Sequence, residues 1–210
     1  MRVFKFGGAS VKDANAVRNM VNVLQEVGYQ DTLVVISAMG KMTNAMEKVV
    51  ESYFKNKEEV NASIQEVIDY HHRILSDLFQ NPNHPVYAKV KVLFEEVKGF
   101  LAWNKSPKYA FVYDQVVSYG ELLSTTIVSA YLNEVGILNE WVDVRTLIKT
   151  DTSNRDAQVN WERTQKEVVS QVDVSKLYIT QGFLGSDDNN FTTTLGREGS
   201  DYSKWSRIPR

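Results

Sequence analysis

An α/β fold, with helices layered on a mainly parallel sheet, is what this sequence predicts. Three observations carry the expectation. The chain opens strand, helix, strand, a unit that joins parallel strands by a right-handed crossover. Its second strand-like run, TLVVISA at residues 32–38, is β-branched and almost continuously apolar, as a strand buried on both faces should be. Strand-like and helical runs alternate at both ends of the chain, around a helical middle. Such alternation builds a three-layer α/β/α sandwich.

Residues 2–6, RVFKF, form a short strand-like run that stops at Gly7-Gly8. In KDANAVRNMVNVLQEVG, Val17, Met20, Val21, Leu24 and Val27 recur at helical spacing, and Gly28 fits a helix C-cap. After the second strand, TNAMEKVVESYF starts on a Thr/Asn cap signal. The next helix sets Val60, Ile64, Val67, Ile68 and Leu75 on one face, and PVYAKVKVLFEEVKGFLAW does the same after Pro85. A further helical stretch is expected over 108–134. ILNEWVD and TLIKT read as strands around a short turn, NWERTQKEVVSQV as a helix, and KLYITQGFLG as a strand that stops at glycine. NNFTTTLGREGSDYS passes from a β-rich run into a Gly/Ser loop. No Ser/Gly linker, low-complexity tract or internal repeat divides the chain.

Composition narrows the function class. Hydrophobic residues make up 43% of the chain, enough for a real core. The formal net charge is -2, and no basic stripe interleaves with aromatics, so nucleic acid is not the expected partner. Cysteine is absent, which removes disulfide and thiolate chemistry and suits a reducing compartment. Glycines interrupt the N-terminal MRVFKFGGAS, unlike a signal peptide. No apolar stretch is long enough to cross a bilayer, so no membrane partner is expected. The expectation is a soluble, cytoplasmic protein. His71 and His72 are adjacent on a helix and point apart, and His84 precedes Pro85 in a turn, so all three are expected to be structural or solvated. Trp103, Trp141 and Trp161 are expected in the core or at an interface.

In open α/β sheets, ligands bind beyond the carboxyl ends of the strands. Four polar segments lie where that rule directs attention. KFGGAS, residues 5–10, puts a lysine and paired glycines before a helix, which suits either a phosphate site or a tight turn. It lacks the spacing of a Walker A loop. SAMGKMTN, residues 37–44, follows the second strand; Ser37 and Thr43 face a ligand or Thr43 and Asn44 cap the next helix. VSYGELLST places Glu121 in an apolar helical run, where a buried carboxylate needs a partner such as a ligand ammonium; the competing reading is a surface face or a structural ion pair. TTTLGREGSDYS, 192–203, gathers Arg197, Ser200 and Asp201 around Gly196 and Gly199. Arginine grips carboxylate or phosphate bidentately, and the competing reading is a polar hairpin or helix entry.

Together and in this order, the four segments resemble aspartokinases of the amino-acid kinase superfamily. KFGGAS is similar to K-[FY]-G-G-[TS]-S, SAMGKMTN to S-A-x-x-x-x-T-[ND], and SYGELLS to S-x-G-E-x-[LF]-S. TTTLGREGSDYS resembles the most specific motif, T-T-L-G-R-x-G-S-D-[YF]-[ST]. The resemblance runs from Met1 to about Ser203. It implies an amino-acid kinase-like fold and transfer of the ATP γ-phosphoryl group to the β-carboxylate of L-aspartate. The product is aspartyl 4-phosphate, at the start of lysine, threonine and methionine synthesis. By this carry-over Lys5 stabilises charge on the moving phosphoryl group, and Asp201 organises the lysine and the substrate. Gly7, Gly8 and Ser10 line the phosphate loop. Ser37, Thr43, Glu121 and Arg197 hold aspartate, with Glu121 on its ammonium and Arg197 on a carboxylate; Gly199 and Ser200 belong to the same substrate loop. ATP is the co-substrate, with Mg2+ bound mainly through phosphate oxygens and water. A carboxylate acceptor already carries a nucleophilic oxygen, so positioning and electrostatic stabilisation are the main demands of such a transfer.

The sequence departs from the pattern twice. Ala9 stands where the first motif commonly has threonine. After GREGSDYS the family continues into a helix of small apolar residues, then a strand and loop that hold the nucleotide, then regulatory ACT domains. Here the chain reads KWSRIPR. The expectation is residues 1–203 as the aspartate- and phosphate-binding portion of an amino-acid kinase domain, 204–210 as a tail outside the pattern, and no ACT domains. The sheet is then C-terminally incomplete, and open edges favour a homo-oligomer. Two other readings stay open. One is a non-catalytic aspartate-binding or interaction fragment without the nucleotide half. The other is a kinase of the same superfamily acting on a different acidic metabolite.

Overall fold

Strand β1 (Arg2–Phe6) is followed by a short 3-10 turn at Gly8–Val11, helix α1 (Ala14–Val27) and strand β2 (Thr32–Ile36) in the computed structural model, which describes residues 1–196. The β1–β2 pairing is parallel, with Phe6 beside Ile36. Asp13 starts α1 by accepting a hydrogen bond from Ala16 N at 2.8 Å, and Gly28 ends it at φ 79°. Side-chain oxygens suit the first position and glycine the second, because each meets backbone needs that the helix leaves open. Val17, Met20, Val21 and Leu24 are buried, as their spacing predicts. Val27 is not; it closes the helix and is exposed.

Five helices then form the middle: α2 (Met42–Lys55), α3 (Val60–Leu78), α4 (Pro85–Trp103), α5 (Tyr109–Val117) and α6 (Tyr119–Glu134). The single helix expected over 108–134 is broken at Ser118, whose hydroxyl donates to Gln115 O at 3.0 Å. Strand β3 (Glu140–Trp141) is short, and the expected TLIKT strand is overturned. Thr146 and Leu147 lie in helix α7 (Val144–Leu147), capped by Asp143. Lys149 and Thr150 make only isolated bridges. Local β-branched content is overridden here by a cap and by tertiary contacts. Helix α8 (Trp161–Gln171) leads to β4 (Leu177–Gln181), and β5 (Leu184–Ser186) pairs antiparallel with β6 (Thr192–Thr194).

The main sheet runs β1-β2-β4-β3, all parallel. β2 and β4 sit at its centre and are buried throughout. Val34, Ile36 and Ile179 join a large core with side chains from α1 to α6. Leu33, Val35 and Tyr178 pack on the other face with Val142 and Val172, the latter at the end of α8. Each fully buried Val, Leu or Ile contributes about 1.5–3 kcal/mol, so this double-sided burial dominates the stability of the sheet. His71 is fully buried against Tyr70 and Phe94. Trp103, Trp141 and Trp161 are all exposed, Trp103 to 84% at the end of α4, which removes the core alternative and leaves the interface one. Among the described residues no helix is long and apolar enough to cross a membrane.

Candidate active site

Parallel register brings the carboxyl ends of three strands together. Phe6, Ile36 and Gln181 lie side by side at the last positions of β1, β2 and β4. The chain continues the pattern one step further. Ser37 N donates to Phe6 O at 3.1 Å, and Gly182 N donates to Ile36 O at 3.3 Å. The loops beyond these strands form one rim, and backbone contacts lock two of them. Gly40 N donates to Gly8 O at 2.9 Å. A Cβ added at Gly8 would meet Ala38 O at 2.6 Å and Gly40 O at 2.8 Å, so only glycine fits. Gly7 differs: an added Cβ meets nothing within 4 Å. Ser10 is exposed in the 3-10 turn, and its N–H donates to Gly7 O at 2.9 Å. Lys5 is exposed on β1, one of the two edge strands of the sheet among the described residues.

Helix α6 brings the carboxylate. Gly120 packs so closely on Ala38 that an added Cβ would lie 3.1 Å from the alanine methyl. Ser124 Oγ donates to Ser37 O at 2.8 Å, tying the helix to the loop after β2. Glu121, between them, is 2% exposed. Its Oε1 accepts from Ala38 N at 3.3 Å, and its Oε2 is buried with no hydrogen-bond partner among the described residues. Burial pushes the carboxyl up from 4.5 to about 8, and the Ala38 N–H only partly offsets it. No ion pair to Glu121 occurs among the described residues, so the structural ion-pair reading finds no support there. A buried acid with one oxygen unpartnered is suited to an incoming cationic group.

The structure thus gathers Gly7, Gly8, Ser37 and Glu121 on one rim, with Lys5 two residues before Gly7. Thr43 is half-buried in the first turn of α2, directly after the loop that carries Ser37. Arg197, Gly199, Ser200 and Asp201 lie outside the described residues. Three residues of this region were not singled out from sequence. Gln181 is fully buried; its Oε1 accepts from Val144 N at 2.8 Å and its Nε2 donates to Thr125 Oγ1 at 2.7 Å. Phe183 holds φ 66° just beyond β4, a left-handed conformation uncommon for a bulky residue. Asp114, on α5, is fully buried. Of the three, only Asp114 leaves a sequence signal, a lone acid within the apolar run FVYDQVV.

With this fold and rim, the chain belongs to the amino acid kinase family, whose model matches residues 1–204. Its relatives are more specific. The chain is 29% identical to lysine-sensitive aspartokinase 3 of Escherichia coli (strain K12), over 96% of this chain and 44% of that protein. It is 30% identical to aspartokinase 1, chloroplastic, of Arabidopsis thaliana, over 95% of this chain and 36% of that protein. The structure of E. coli aspartokinase III in complex with aspartate and ADP superposes with a TM-score of 0.87 at 28% identity, covering 97% of this chain and 45% of that one. The chain therefore spans less than half the length of these relatives.

Proposed function

We propose that this chain supplies the aspartate- and phosphate-binding portion of an aspartate kinase, over residues 1–203. The reaction is transfer of the ATP γ-phosphoryl group to the β-carboxylate of L-aspartate. One observation carries the reading: the buried, half-partnered carboxylate of Glu121 sits beside the glycine-locked loops at the strand ends. Glu121 takes the substrate ammonium, and Arg197 takes a carboxylate through a charge-assisted pair. Ser37 and Thr43 complete the acceptor site. Gly7, with no side chain and open space above it, lets the backbone approach a phosphate, and Ser10 lies in the same turn. Lys5 neutralises charge on the phosphoryl group, with Asp201 orienting it. Magnesium enters this reading with the nucleotide phosphates; among the described residues no group of three or more His, Asp or Glu is placed to hold a metal.

The test is calorimetric titration with L-aspartate and with Mg-ATP, followed by trapping of the acyl phosphate with hydroxylamine. Saturable aspartate binding with hydroxamate formation supports the kinase. Aspartate binding without hydroxamate supports the fragment reading, in which the chain holds the acceptor alone. No aspartate binding refutes both.

A further inference from the structure

We infer that Gln181 is a positioning residue for the acceptor site, fixing the turn of α6 that presents Glu121; this rests on the proposed role of Glu121 as partner of the aspartate ammonium. The Glu121 carboxylate does not hold its own place. The hydrogen bond it receives from Ala38 N is 3.3 Å long, beyond the usual range for a firm N–H to oxygen bond. It therefore sits where its helix puts it. One side-chain tether, Ser124 Oγ to Ser37 O at 2.8 Å, joins that helix to the chain leaving β2. A single tether permits the helix to roll about it. The next residue, Thr125, supplies a second.

Thr125 is fully buried, and a buried hydroxyl has one donor and two acceptor sites to satisfy. All three are met. Its Oγ1 donates to Glu121 O, one turn back, at 2.9 Å, with Leu122 O further off at 3.3 Å. It accepts from Gln181 Nε2 at 2.7 Å and from Trp141 Nε1 at 2.9 Å. The orientation of the Gln181 amide is set independently. Its Oε1 accepts from Val144 N at 2.8 Å, and a backbone N–H only donates, so Nε2 is the end that faces Thr125. Donor leads to acceptor without a break from Val144 through Gln181 and Thr125 to the carbonyl of Glu121 itself. Gln181 makes a firm anchor. It is fully buried, it ends β4, and it pairs in register with Ile36 of β2. Gly182, the next residue, donates to Ile36 O at 3.3 Å, so the same segment continues into the rim.

Energetics favour a positional role. Leucine at 181 opposite valine at 125 would fill much the same space, and replacing both partners of a buried hydrogen bond by apolar groups of similar shape is nearly neutral for stability. What the amide and hydroxyl add is direction, because each bond holds at one distance and angle. Direction matters at Glu121, since a charge-assisted hydrogen bond to an ammonium weakens steeply when the carboxylate turns away. Gln181 reaches Glu121 through Thr125, so its effect on a ligand passes through the helix.

The test uses Gln181→Leu, Thr125→Val and Thr125→Ser. Affinity is read for L-aspartate and for succinate, the same dicarboxylate without the ammonium group, by calorimetry and by NMR titration where binding is weak. The Ala38 amide proton, which reports the bond to Glu121, is followed without ligand. Gln181→Leu and Thr125→Val each weaken L-aspartate binding about fivefold or more, and succinate binding less than about twofold. Thr125→Ser keeps the hydroxyl and stays within about twofold of wild type for both ligands. The Ala38 amide proton moves in Gln181→Leu and Thr125→Val, while the Phe4 and Val34 amides hold their positions. Wild-type L-aspartate affinity in Gln181→Leu, equal losses for the two ligands, or a Thr125→Ser chain as impaired as Thr125→Val overturns the inference. Should Gln181→Leu not fold, the two Thr125 variants are judged by the same criteria. A wild-type chain that fails to bind aspartate refutes the proposed function separately. The Ala38 amide then decides alone, and an unmoved resonance in Gln181→Leu and Thr125→Val overturns the positioning role.

Discussion

Aspartate affinity should depend on pH through Glu121, and the direction follows from its surroundings. Burial lifts the carboxyl from 4.5 to about 8, and among the described residues no cation offsets it. It must ionise to hold an ammonium group. With that pKa, roughly one molecule in a hundred has ionised Glu121 at pH 6, about one in eleven at pH 7 and about half at pH 8. Apparent affinity scales with the competent fraction. The dissociation constant for L-aspartate therefore falls about tenfold from pH 6 to pH 7 and about fivefold more by pH 8, then levels off. Binding at pH 7 also releases close to one proton, which calorimetry detects as a dependence of heat on the buffer used. Stability moves the other way. The folded value lies above the unfolded one, so the unliganded fold loses stability as pH rises from 4.5 toward about 8. At pH 7 the cost is about 3 kcal/mol. Glu121→Gln should stabilise the free chain at pH 7 and erase the pH dependence of any remaining aspartate binding. An aspartate affinity that stays flat from pH 6 to pH 8, or a Glu121→Gln chain that binds like wild type, would refute the assignment of the ammonium to Glu121.

Three further perturbations have defined outcomes. Gly8→Ala drives a methyl into two backbone carbonyls and should cost about 1–3 kcal/mol in denaturant unfolding, whereas Gly7→Ala should be close to neutral. Equal stability of the two variants contradicts the locked-loop geometry. Lys5→Ala should leave aspartate affinity nearly unchanged and remove hydroxamate formation wherever the wild-type chain shows it; a change confined to aspartate KM places Lys5 in the wrong role. His71 has Nδ1 donating to Val67 O at 2.8 Å and a buried Nε2 with no hydrogen-bond partner among the described residues, and burial lowers its pKa to about 4. The folded value lies below the unfolded 6.5, so stability present above that pH is lost as pH falls toward about 4, by about 3 kcal/mol. His71→Phe should flatten this acid limb in thermal melts; an acid limb of wild-type slope assigns the loss to other groups.

Much of the fold was legible in the chain itself. The apolar run of β2 announced a strand buried on both faces, and the Val17–Leu24 stripe announced one face of α1, because periodicity is a local property. The glycines of KFGGAS marked a turn after the first strand for the same reason, although sequence did not separate Gly8, which is locked, from Gly7, which is open. TLIKT was misread as a strand because Asp143 starts a helix there that β-branched content does not reveal. Core and interface could not be told apart for Trp103, because nothing local says which side of the last turn of α4 faces solvent; it is exposed. The candidate site divides in the same way. Sequence alone determined that a glutamate at 121 interrupts an apolar run; the aspartate at 114 interrupts another and was not singled out. Only the tertiary structure decided what surrounds each. It brings Ala38 N, 83 residues away along the chain, to one oxygen of Glu121 and, among the described residues, leaves the other without a partner. It surrounds Asp114 with donors from two distant segments. The role of a buried charge depends on which groups share its low-dielectric surroundings, and that is settled by packing between elements rather than by spacing within them.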